Sequence, residues 1–389
     1  MKYSLFRFFR MESSIGILLI SATAFAMIMA NSIYLDNYNN LIKIPVTFSF
    51  GDASLSKPLL LWINDGLMAI FFFMVGLEIK REVVGGSLHD KSKFVLPAIA
   101  ALGGMIVPAL IYVMFNYASE SAMKGWAIPM ATDIAFALGI LSLLGKRVPS
   151  QLKLFLLTLA IIDDLGAILV IAIYYTSSMN YFSLAASVIL ISLLIGMNKS
   201  GVKNHTAYIL VGLILWIAVL KSGVHATIAG VVLGLIIPIK DNKLNFYQLE
   251  NSLHIPVNFV ILPIFAFANA GIYLFDIGLN DLTDNMTLGI IFGLFFGKQI
   301  GVFLFTFVAH KLGFGSLAKD VTWMNLYGLA VLSGVGFTMS LFVGSLAFEC
   351  HSGTCFDLVD YRMGILIGSL LSGIVGYFII LKTLKKKNE

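Results

Sequence analysis

Charged residues are scarce in this sequence. Lysine, arginine, aspartate and glutamate make up 12% of its 389 residues, and hydrophobic residues make up 59%. Soluble domains carry about 25% charged residues, so the composition excludes an ordinary soluble protein. The net charge of +5 would suggest an anionic partner in a soluble protein. In a membrane protein the distribution of basic residues along the chain matters more than the net charge. We therefore expect no nucleic-acid partner.

Cysteine is nearly absent, since only Cys350 and Cys355 occur and both lie in one predicted loop. Two cysteines cannot define a disulfide framework. A local disulfide in an oxidising compartment and an unpaired couple are equally consistent with this spacing.

Long apolar runs are abundant, and twelve have roughly the length of a membrane span. The sequence therefore predicts an all-α polytopic membrane protein. The runs lie near 13–30, 59–79, 94–115, 125–144, 154–175, 182–198, 205–219, 224–237, 249–271, 286–309, 324–348 and 361–381. A single span over 207–237 is an alternative to the seventh and eighth. The basic start followed by the first run resembles a signal peptide, but a retained anchor is the simpler interpretation.

Basic residues indicate the orientation. With the N-terminus inside, 20 of the 26 lysines and arginines fall on the cytoplasmic side, and five fall outside. This strong positive-inside bias predicts cytoplasmic termini, and it disfavours a single span over 207–237. The remaining basic residue, Lys298, falls within the tenth span.

Two triplets of spans, about 94–175 and 286–381, have inverted topology under this count. Their middle spans, the fourth and the eleventh, are rich in helix-weakening residues, with Pro129 before 131–133 in one and Gly334, Gly336 and Thr338 in the other. Interrupted segments at corresponding positions indicate a transport site. Glycine packing between helices is the alternative. We expect one membrane domain over 1–389, with an interface region including about 31–93 and 205–271.

The first external loop, 45–58, alternates apolar and polar residues around a Gly51-Asp52 turn. This pattern predicts a short β-hairpin. An isolated hairpin is marginally stable, so pairing with a second protomer is one interpretation and an ordinary surface loop is the other.

Two adjacent carboxylates, Asp163 and Asp164, lie in the middle of the fifth apolar run. Each ionisable group at the centre of a membrane helix costs about 2.5 to 3.5 kcal/mol, which indicates a functional role. Neighbouring carboxylates in a low dielectric bind protons or a cation in competition, and small hard cations favour oxygen ligands. The pair therefore predicts a site where Na+ and H+ compete.

Two more ionisable residues lie in the interrupted or glycine-rich spans. Asp133 follows Thr132 in the suspected break of the fourth span, where a carboxylate can neutralise the N-termini of half-helices. Lys298 lies between Gly297 and Gly301. It can neutralise half-helix C-termini, or pair with Asp163 and release a proton when Na+ enters.

A second polar group falls at the cytoplasmic ends of the second and ninth spans, where solvated helix ends would look similar. It comprises Glu78, Arg81, Glu82, Glu250 and His254. His225, near the external end of the short eighth apolar run, is consistent with a packing histidine or a pH sensor. Asp65, in the second run, is equally ambiguous.

These motifs resemble the NhaA family of bacterial Na+/H+ antiporters. The matching stretches are FFFMVGLEIKRE (71–82), GWAIPMATDIAFALGIL (125–141), LAIIDDLGAI (159–168), LKSGVHATIAG (220–230), LPIFAFANAG (262–271) and LSGVGFTMSLF (332–342). The family is itself a known example of inverted-repeat transporters. The inverted repeat predicted above is therefore not independent support for the resemblance.

The resemblance implies a twelve-helix antiporter of the bacterial inner membrane, dimeric through its hairpin and without a cofactor, that serves pH homeostasis and salt tolerance. It implies exchange of cytoplasmic Na+ or Li+ for external protons. It also implies ion and proton binding by Asp163, Asp164 and Thr132, and compensation of half-helices by Asp133 and Lys298. A pH response is implied for the positions matching Glu78, Glu82, Glu250, His254 and His225, and we expect Arg81, of the same polar group, to take part in it. Asn251 and Gln299 depart from some relatives, which carry histidine and proline there.

Two other classes also use carboxylates within a membrane. An intramembrane aspartyl protease would need Asp133 with Asp163 or Asp164, but the Gly-x-Gly-Asp motif of that class is absent and Lys298 would have no role. A Na+ channel can also be lined by acidic residues. We expect instead an electrogenic, pH-regulated antiporter that exchanges about two protons per Na+ by alternating access.

Overall fold

The computed structural model describes residues 12–50, 53–86, 91–176, 179–239, 243–275, 278–318, 320–348 and 361–384. Cys350 and Cys355 lie outside these residues, as do several basic residues of the termini and loops that entered the orientation argument. The described part of the chain is helical apart from one two-stranded sheet. This confirms the predicted helical membrane protein with a small hairpin.

The elements follow the predicted apolar runs. The first half of the chain contains α1 (Glu12–Ala30), α2 (Leu35–Lys43), β1 (Pro45–Phe50), β2 (Ala53–Pro58), α3 (Leu59–Gly85), α4 (Lys91–Asn116), α5 (Glu120–Met130), α6 (Ile134–Leu143), α7 (Ser150–Tyr174) and α8 (Tyr181–Lys199). The second half contains α9 (His205–Ser222), α10 (Thr227–Ile236), α11 (Leu244–Ala270), α12 (Leu279–Leu282), α13 (Asn285–Lys311), α14 (Trp323–Leu332), α15 (Phe337–Ala347) and α16 (Tyr361–Thr383).

Among the described residues, nine helices are long and apolar enough to cross a membrane, and eleven spans result if each of two bent helix pairs counts as one. The bent pairs are α5 with α6, at 43°, and α14 with α15, at 42°. The apolar helix α10 is only ten residues long. A glycine at φ +87°, Gly223, follows α9, so 207–237 forms two helices. The count of twelve spans stays a prediction.

Close contacts divide the described chain into two compact units. The first contains most of α1, α4 to α6, most of α7, and α12 to α16. The second contains α2, the hairpin, α3, the end of α7, and α8 to α11.

Glycine sets the contact between α4 and α13 in the first unit. A Cβ added at Gly103 would collide with the carbonyl oxygen of Gly301, and one added at Gly301 would collide with that of Gly103. Small residues of this kind let two helix backbones touch. A π-helical turn, Gly293–Gly297, interrupts α13 directly before Lys298. Together these features fix the position of Lys298 on its helix.

The hairpin of the second unit pairs β1 with β2 antiparallel, with Thr47 opposite Ser56. Their hydroxyl oxygens lie 2.7 Å apart. The indole N–H of Trp62 donates to the carbonyl of Val46 at 3.0 Å, and the Trp62 and Phe48 rings are in edge contact. The hairpin is therefore anchored to the start of α3.

Candidate functional site

The two interrupted helix pairs of the first unit meet at their breaks. The first break, Ala131–Asp133, follows the 3-10 segment that ends α5, and the second, Ser333–Gly336, separates α14 from α15. The backbone N–H of Asp133 donates to the carbonyl of Val335 at 2.7 Å. The unwound segments therefore satisfy part of each other's backbone, which non-helical chain at membrane depth requires.

Asp133 links the beginnings of both second half-helices. Its side chain is 1% exposed. Its Oδ1 accepts from the backbone N–H of Phe136 in α6 at 2.9 Å, and its Oδ2 accepts from the N–H of Thr338 in α15 at 3.0 Å. The Thr338 hydroxyl also donates to Oδ2. Because helix N-termini carry partial positive charge, one carboxylate here faces two positive ends.

Asp163 forms a fully buried ion pair with Lys298. The distance from Lys298 Nζ to Asp163 Oδ2 is 2.6 Å. The hydroxyl oxygen of Thr132 lies 2.8 Å from the same Oδ2 and 2.9 Å from the carbonyl oxygen of Ser333. A hydroxyl has one proton, so Thr132 donates to one of these acceptors at a time.

The other oxygen of this carboxylate, Asp163 Oδ1, is buried and has no hydrogen-bond partner among the described residues. Buried polar atoms are normally paired, and exceptions need an explanation. Asp164, the next residue of α7, is also 1% exposed and interacts electrostatically with Lys298. The arrangement thus offers carboxylate, hydroxyl and carbonyl oxygens in a site closed to bulk water, which suits a small hard cation.

Comparison with known proteins gives the family. The family described as Na+/H+ antiporter 1 matches residues 6–380 of this chain. A protein of Saccharophagus degradans named Na+/H+ antiporter NhaA 3 is 52% identical over 98% of this chain and 97% of its own length. Proteins named Na+/H+ antiporter NhaA from Nitratiruptor sp. and Yersinia pseudotuberculosis are 53% and 50% identical, each over 96% of this chain and over 96% and 95% of their own lengths.

The chain belongs to the NhaA family of Na+/H+ antiporters. The resemblance inferred from the sequence motifs is thereby confirmed. Members of an antiporter family are secondary transporters, not enzymes, so the intramembrane protease interpretation is set aside. The family name and the apolar helices also establish ion antiport and a multi-pass membrane protein as the general class.

In this NhaA-family chain, the second predicted group of residues lies in the second unit. Arg81 donates to Glu250 and, at 3.1 Å, to Glu82. His254 Nε2 lies 3.8 Å from Glu78 Oε1. Potential ligand atoms of Glu78, Glu250 and His254 lie within 4.8 Å of one another, a geometry that a metal ion can use. The structure therefore brings five of the six predicted pH-response residues into one cluster.

His225, the sixth, lies elsewhere in the second unit. Its Nε2 is 3.3 Å from Asp65 Oδ1 and its Nδ1 is 2.8 Å from the Thr227 hydroxyl. Asp65 also pairs with Lys57 of the hairpin at 2.7 Å. Asp65 and Glu78 are thirteen residues apart on one helix, which corresponds to about 20 Å. His225 is thus not part of the cluster around Arg81.

Sequence reasoning missed several partners of the buried charges. Thr338 was recognised as a helix-weakening residue only, yet it donates to Asp133 twice. The contribution of the Ser333 carbonyl was not foreseen, because a backbone group carries no mark in the sequence. The pairing of Asp65 with Lys57 and His225 depends on the hairpin's register and on a π-helical turn, Ile63–Leu67.

Replacement of Asp133 by alanine is expected to destabilise the protein strongly. It would leave the N–H groups of Phe136 and Thr338 without their acceptor, and each buried orphaned donor costs about 1 to 3 kcal/mol. Asp133→Asn should recover part of the loss, since its amide oxygen can accept from one of them. Thermal unfolding of the purified protein in detergent measures the effect.

The matched control for that experiment is Asp284→Ala. Asp284 caps α13 by accepting from the N–H of Met286 at 2.8 Å, but it serves one helix and is only half-buried. Loss of such a cap costs about 1 kcal/mol. Equal melting temperatures for Asp133→Ala and Asp284→Ala would contradict the double role of Asp133.

Proposed function

We propose that this chain expels cytoplasmic Na+ or Li+ in exchange for external protons, and that Asp163, Asp164 and Thr132 form its ion and proton site. The observation that supports this most directly is the buried Lys298–Asp163 pair. It lies beside the Thr132 hydroxyl and leaves Asp163 Oδ1 without a partner among the described residues. The relatives named Na+/H+ antiporters support the same exchange here.

The balance of charge favours exchange of one cation against protons. A helix N-terminus is equivalent to about half a positive charge, so the two that face Asp133 together balance its carboxylate. Lys298 then balances one of Asp163 and Asp164 when all three are ionised. One negative charge remains in a buried site, where unpaired charge is costly. Either a monovalent cation or a proton removes it, and the two therefore compete.

Alternating access is the transport cycle that we propose. The site lies at the breaks of α5–α6 and α14–α15, which correspond to the interrupted fourth and eleventh helices of a twelve-helix, inverted-repeat arrangement over about 94–175 and 286–381. Half-helices that end at a shared site can expose it to one side and then to the other. Protonation from outside releases Na+, and cytoplasmic Na+ displaces the protons after reorientation.

If the other carboxylate of the pair also takes a proton, the exchange is two protons for one Na+ and carries one net positive charge inward per cycle. A membrane potential then contributes about 2.3 kcal/mol per 100 mV to Na+ expulsion. We expect the rate of pH-gradient-driven Na+ flux in proteoliposomes to change with a potential imposed by K+ and valinomycin. A rate that is the same at every imposed potential would contradict this stoichiometry.

The same vesicles distinguish the antiporter from a Na+ channel. An antiporter coupled to a pH gradient accumulates Na+ against its own gradient, whereas a channel only dissipates that gradient. Accumulation of 22Na+ that collapses when the pH gradient is removed is the expected result. Flux that never exceeds equilibrium would favour a channel.

We also propose that the cluster around Arg81 sets the pH response. Glu250 is 1% exposed, and its Oε2 has no hydrogen-bond partner in the described part of the chain. Its charge state therefore affects Arg81 and the neighbouring Glu78, Glu82 and His254. Glu250→Gln should shift the pH dependence of exchange by roughly half a unit or more while leaving the maximal rate within about twofold.

The control for that shift is Glu120→Gln, because Glu120 is exposed and is not among the residues of this cluster. Flux measured over a series of symmetrical pH values gives both profiles. A Glu250→Gln profile that coincides with that of the parent would remove the cluster from pH regulation. His225, which lies apart from the cluster, is a separate candidate for pH sensing.

The location that we propose is the bacterial inner membrane, with both termini cytoplasmic and a homodimer formed through the hairpin at 45–58. The described strands leave each outer edge of the two-stranded sheet open for a further strand. Cysteine cross-linking across the hairpins of two copies tests the dimer, and its failure in membranes would refute that interface.

A further inference from the structure

An apolar crevice of about 470 Å³ lies in the first unit between α1, α6 and α16. Its walls include Ala24 from α1, Leu143 from α6, and Leu370 and Phe378 from α16. The volume falls within the range of small-molecule sites, about 300 to 1,000 Å³. The crevice is separate from the buried ion pair of Asp163 and Lys298, which does not line it.

The lining offers almost nothing to a polar ligand. Of its fourteen residues, only Thr23, Ser369 and Tyr377 carry a polar side-chain atom. The Thr23 hydroxyl donates to the carbonyl of Leu19 at 2.9 Å, and Ser369 Oγ accepts from the N–H of Phe337 at 3.1 Å. Two of the three polar groups are therefore engaged within the protein, and the crevice suits a hydrocarbon chain.

The crevice opens toward the hydrocarbon region of the bilayer. Leu370, Leu143, Ile20 and Phe378 are 64, 57, 53 and 52% exposed, respectively. All belong to membrane-span candidates or to the bent pair that contains α6. A crevice with such walls inside a bilayer is in contact with lipid chains, since water is absent there.

The length of the crevice matches one lipid chain. Along α16 its lining runs from Leu366 to Phe378, twelve residues that correspond to about 18 Å of helix. Half of the hydrocarbon core of a bilayer is about 15 Å thick. The crevice is therefore long enough to hold one acyl chain of one leaflet from end to end.

Basic residues lie just beyond one end of the crevice. Arg147 follows Leu143 by four residues, in a 3-10 turn over Gly145–Arg147, and Lys382 follows Phe378 by four residues in the last turn of α16. Both basic side chains are exposed. Lysines and arginines just beyond the end of a membrane helix attract anionic lipid headgroups.

We infer that this crevice binds an anionic phospholipid, with one acyl chain against Ala24, Leu370 and Phe378 and its headgroup near Arg147 and Lys382. The inference does not depend on the proposed Na+/H+ exchange, because the observations behind it are the apolar crevice and the basic residues at its end. It assigns the protein a second ligand class besides the transported ions.

Such a lipid would lie against the beginnings of the half-helices. Phe136 and Phe337 both line the crevice, and their rings are in edge contact with centroids 5.3 Å apart. Phe136 is also the residue whose N–H donates to Asp133. The bound chain therefore packs behind the first turns of α6 and α15 and stabilises them in the arrangement seen here.

Photolabelling tests the location without any substitution. The purified protein in detergent is incubated with phosphatidylglycerol that carries a diazirine on its acyl chain, irradiated and digested. We expect labelled peptides from α1, α6, α16 and the start of α15 that disappear with excess unlabelled phosphatidylglycerol. Labels spread over the other helices, or undiminished by competition, would overturn the site.

Native mass spectrometry measures the affinity of the same lipid. Ala24→Phe places a ring in the crevice and should weaken phosphatidylglycerol binding at least tenfold, whereas Ala185→Phe, at an exposed alanine of α8, should not change it. Unchanged affinity in Ala24→Phe would overturn the proposal. A loss of dimer in Ala24→Phe, with lipid affinity retained, would identify a second copy of the chain as the occupant instead.

Removal of the two basic side chains tests whether they bind the lipid headgroup. Replacement of both Arg147 and Lys382 by glutamine should reduce phosphatidylglycerol affinity about 25-fold, since each basic residue contributes roughly fivefold. Lys199→Gln, at the exposed end of α8, is the matched control. Phosphatidylcholine with the same chains should bind parent and variant equally. Equal affinity of the parent for both lipids would overturn the anionic preference, and Na+ flux plays no part in this readout.

Discussion

Replacement of Asp163 or Asp164 by asparagine should reduce pH-gradient-driven Na+ flux in proteoliposomes to the level of protein-free vesicles. Asparagine has nearly the same shape, but it can neither carry a negative charge nor exchange a proton. In the Asp163 variant, Lys298 also loses the partner that lies 2.6 Å away. Breaking such a buried pair costs about 3 to 5 kcal/mol of stability. This corresponds to a hundredfold or greater change in the equilibrium constant for unfolding.

The flux experiment needs a control that separates the loss of a buried carboxylate from the general effect of an Asp-to-Asn substitution. Asp36→Asn changes an exposed aspartate of α2 and should leave the flux unchanged. Direct binding of 22Na+ to the purified protein gives a second readout, because a variant that folds but cannot bind ion loses both signals. Retained exchange in both the Asp163 and the Asp164 variants would refute the assigned site.

Much of the fold was predictable because membrane spans are long and uniform. Each of the described helices that spans a membrane follows a predicted apolar run, and the breaks occur where Pro129, Gly334 and Gly336 weaken the helix. The hairpin was predicted from alternation and a Gly-Asp turn. These are local signals, and a helix in lipid must satisfy its backbone locally.

The contacts of the candidate site were less predictable, because they join distant parts of the chain. The sequence singled out Asp133, Asp163 and Lys298 as charges within the membrane. It left open whether Lys298 faces helix ends or Asp163, and the structure shows the pair with Asp163. That choice depends on the π-helical turn before Lys298 and on the glycine contact between α4 and α13. Neither feature can be read from charge or hydropathy alone.

Replacement of Lys298 by methionine is expected to produce a large loss of stability. The side chain is completely buried, and methionine preserves its length while removing the charge. Asp163 would then remain as a buried carboxylate without its cation, at a cost of about 3 to 5 kcal/mol. We expect a fall of the melting temperature in detergent by about 5 °C or more. Lys199→Met, at an exposed lysine, should leave it unchanged.

The decisive comparison is the double variant Asp163→Asn with Lys298→Met. A buried ion pair replaced by neutral side chains of similar volume is often no less stable than the original, and the Thr132 hydroxyl can still donate to the asparagine oxygen. We therefore expect the double variant to recover at least about half of the stability lost in Lys298→Met without recovering any Na+ flux. Additive losses would mean that the two side chains are not paired as ions. Recovery of stability without transport would show that the two side chains are coupled as an ion pair and that their charges are needed for the exchange of Na+ for protons.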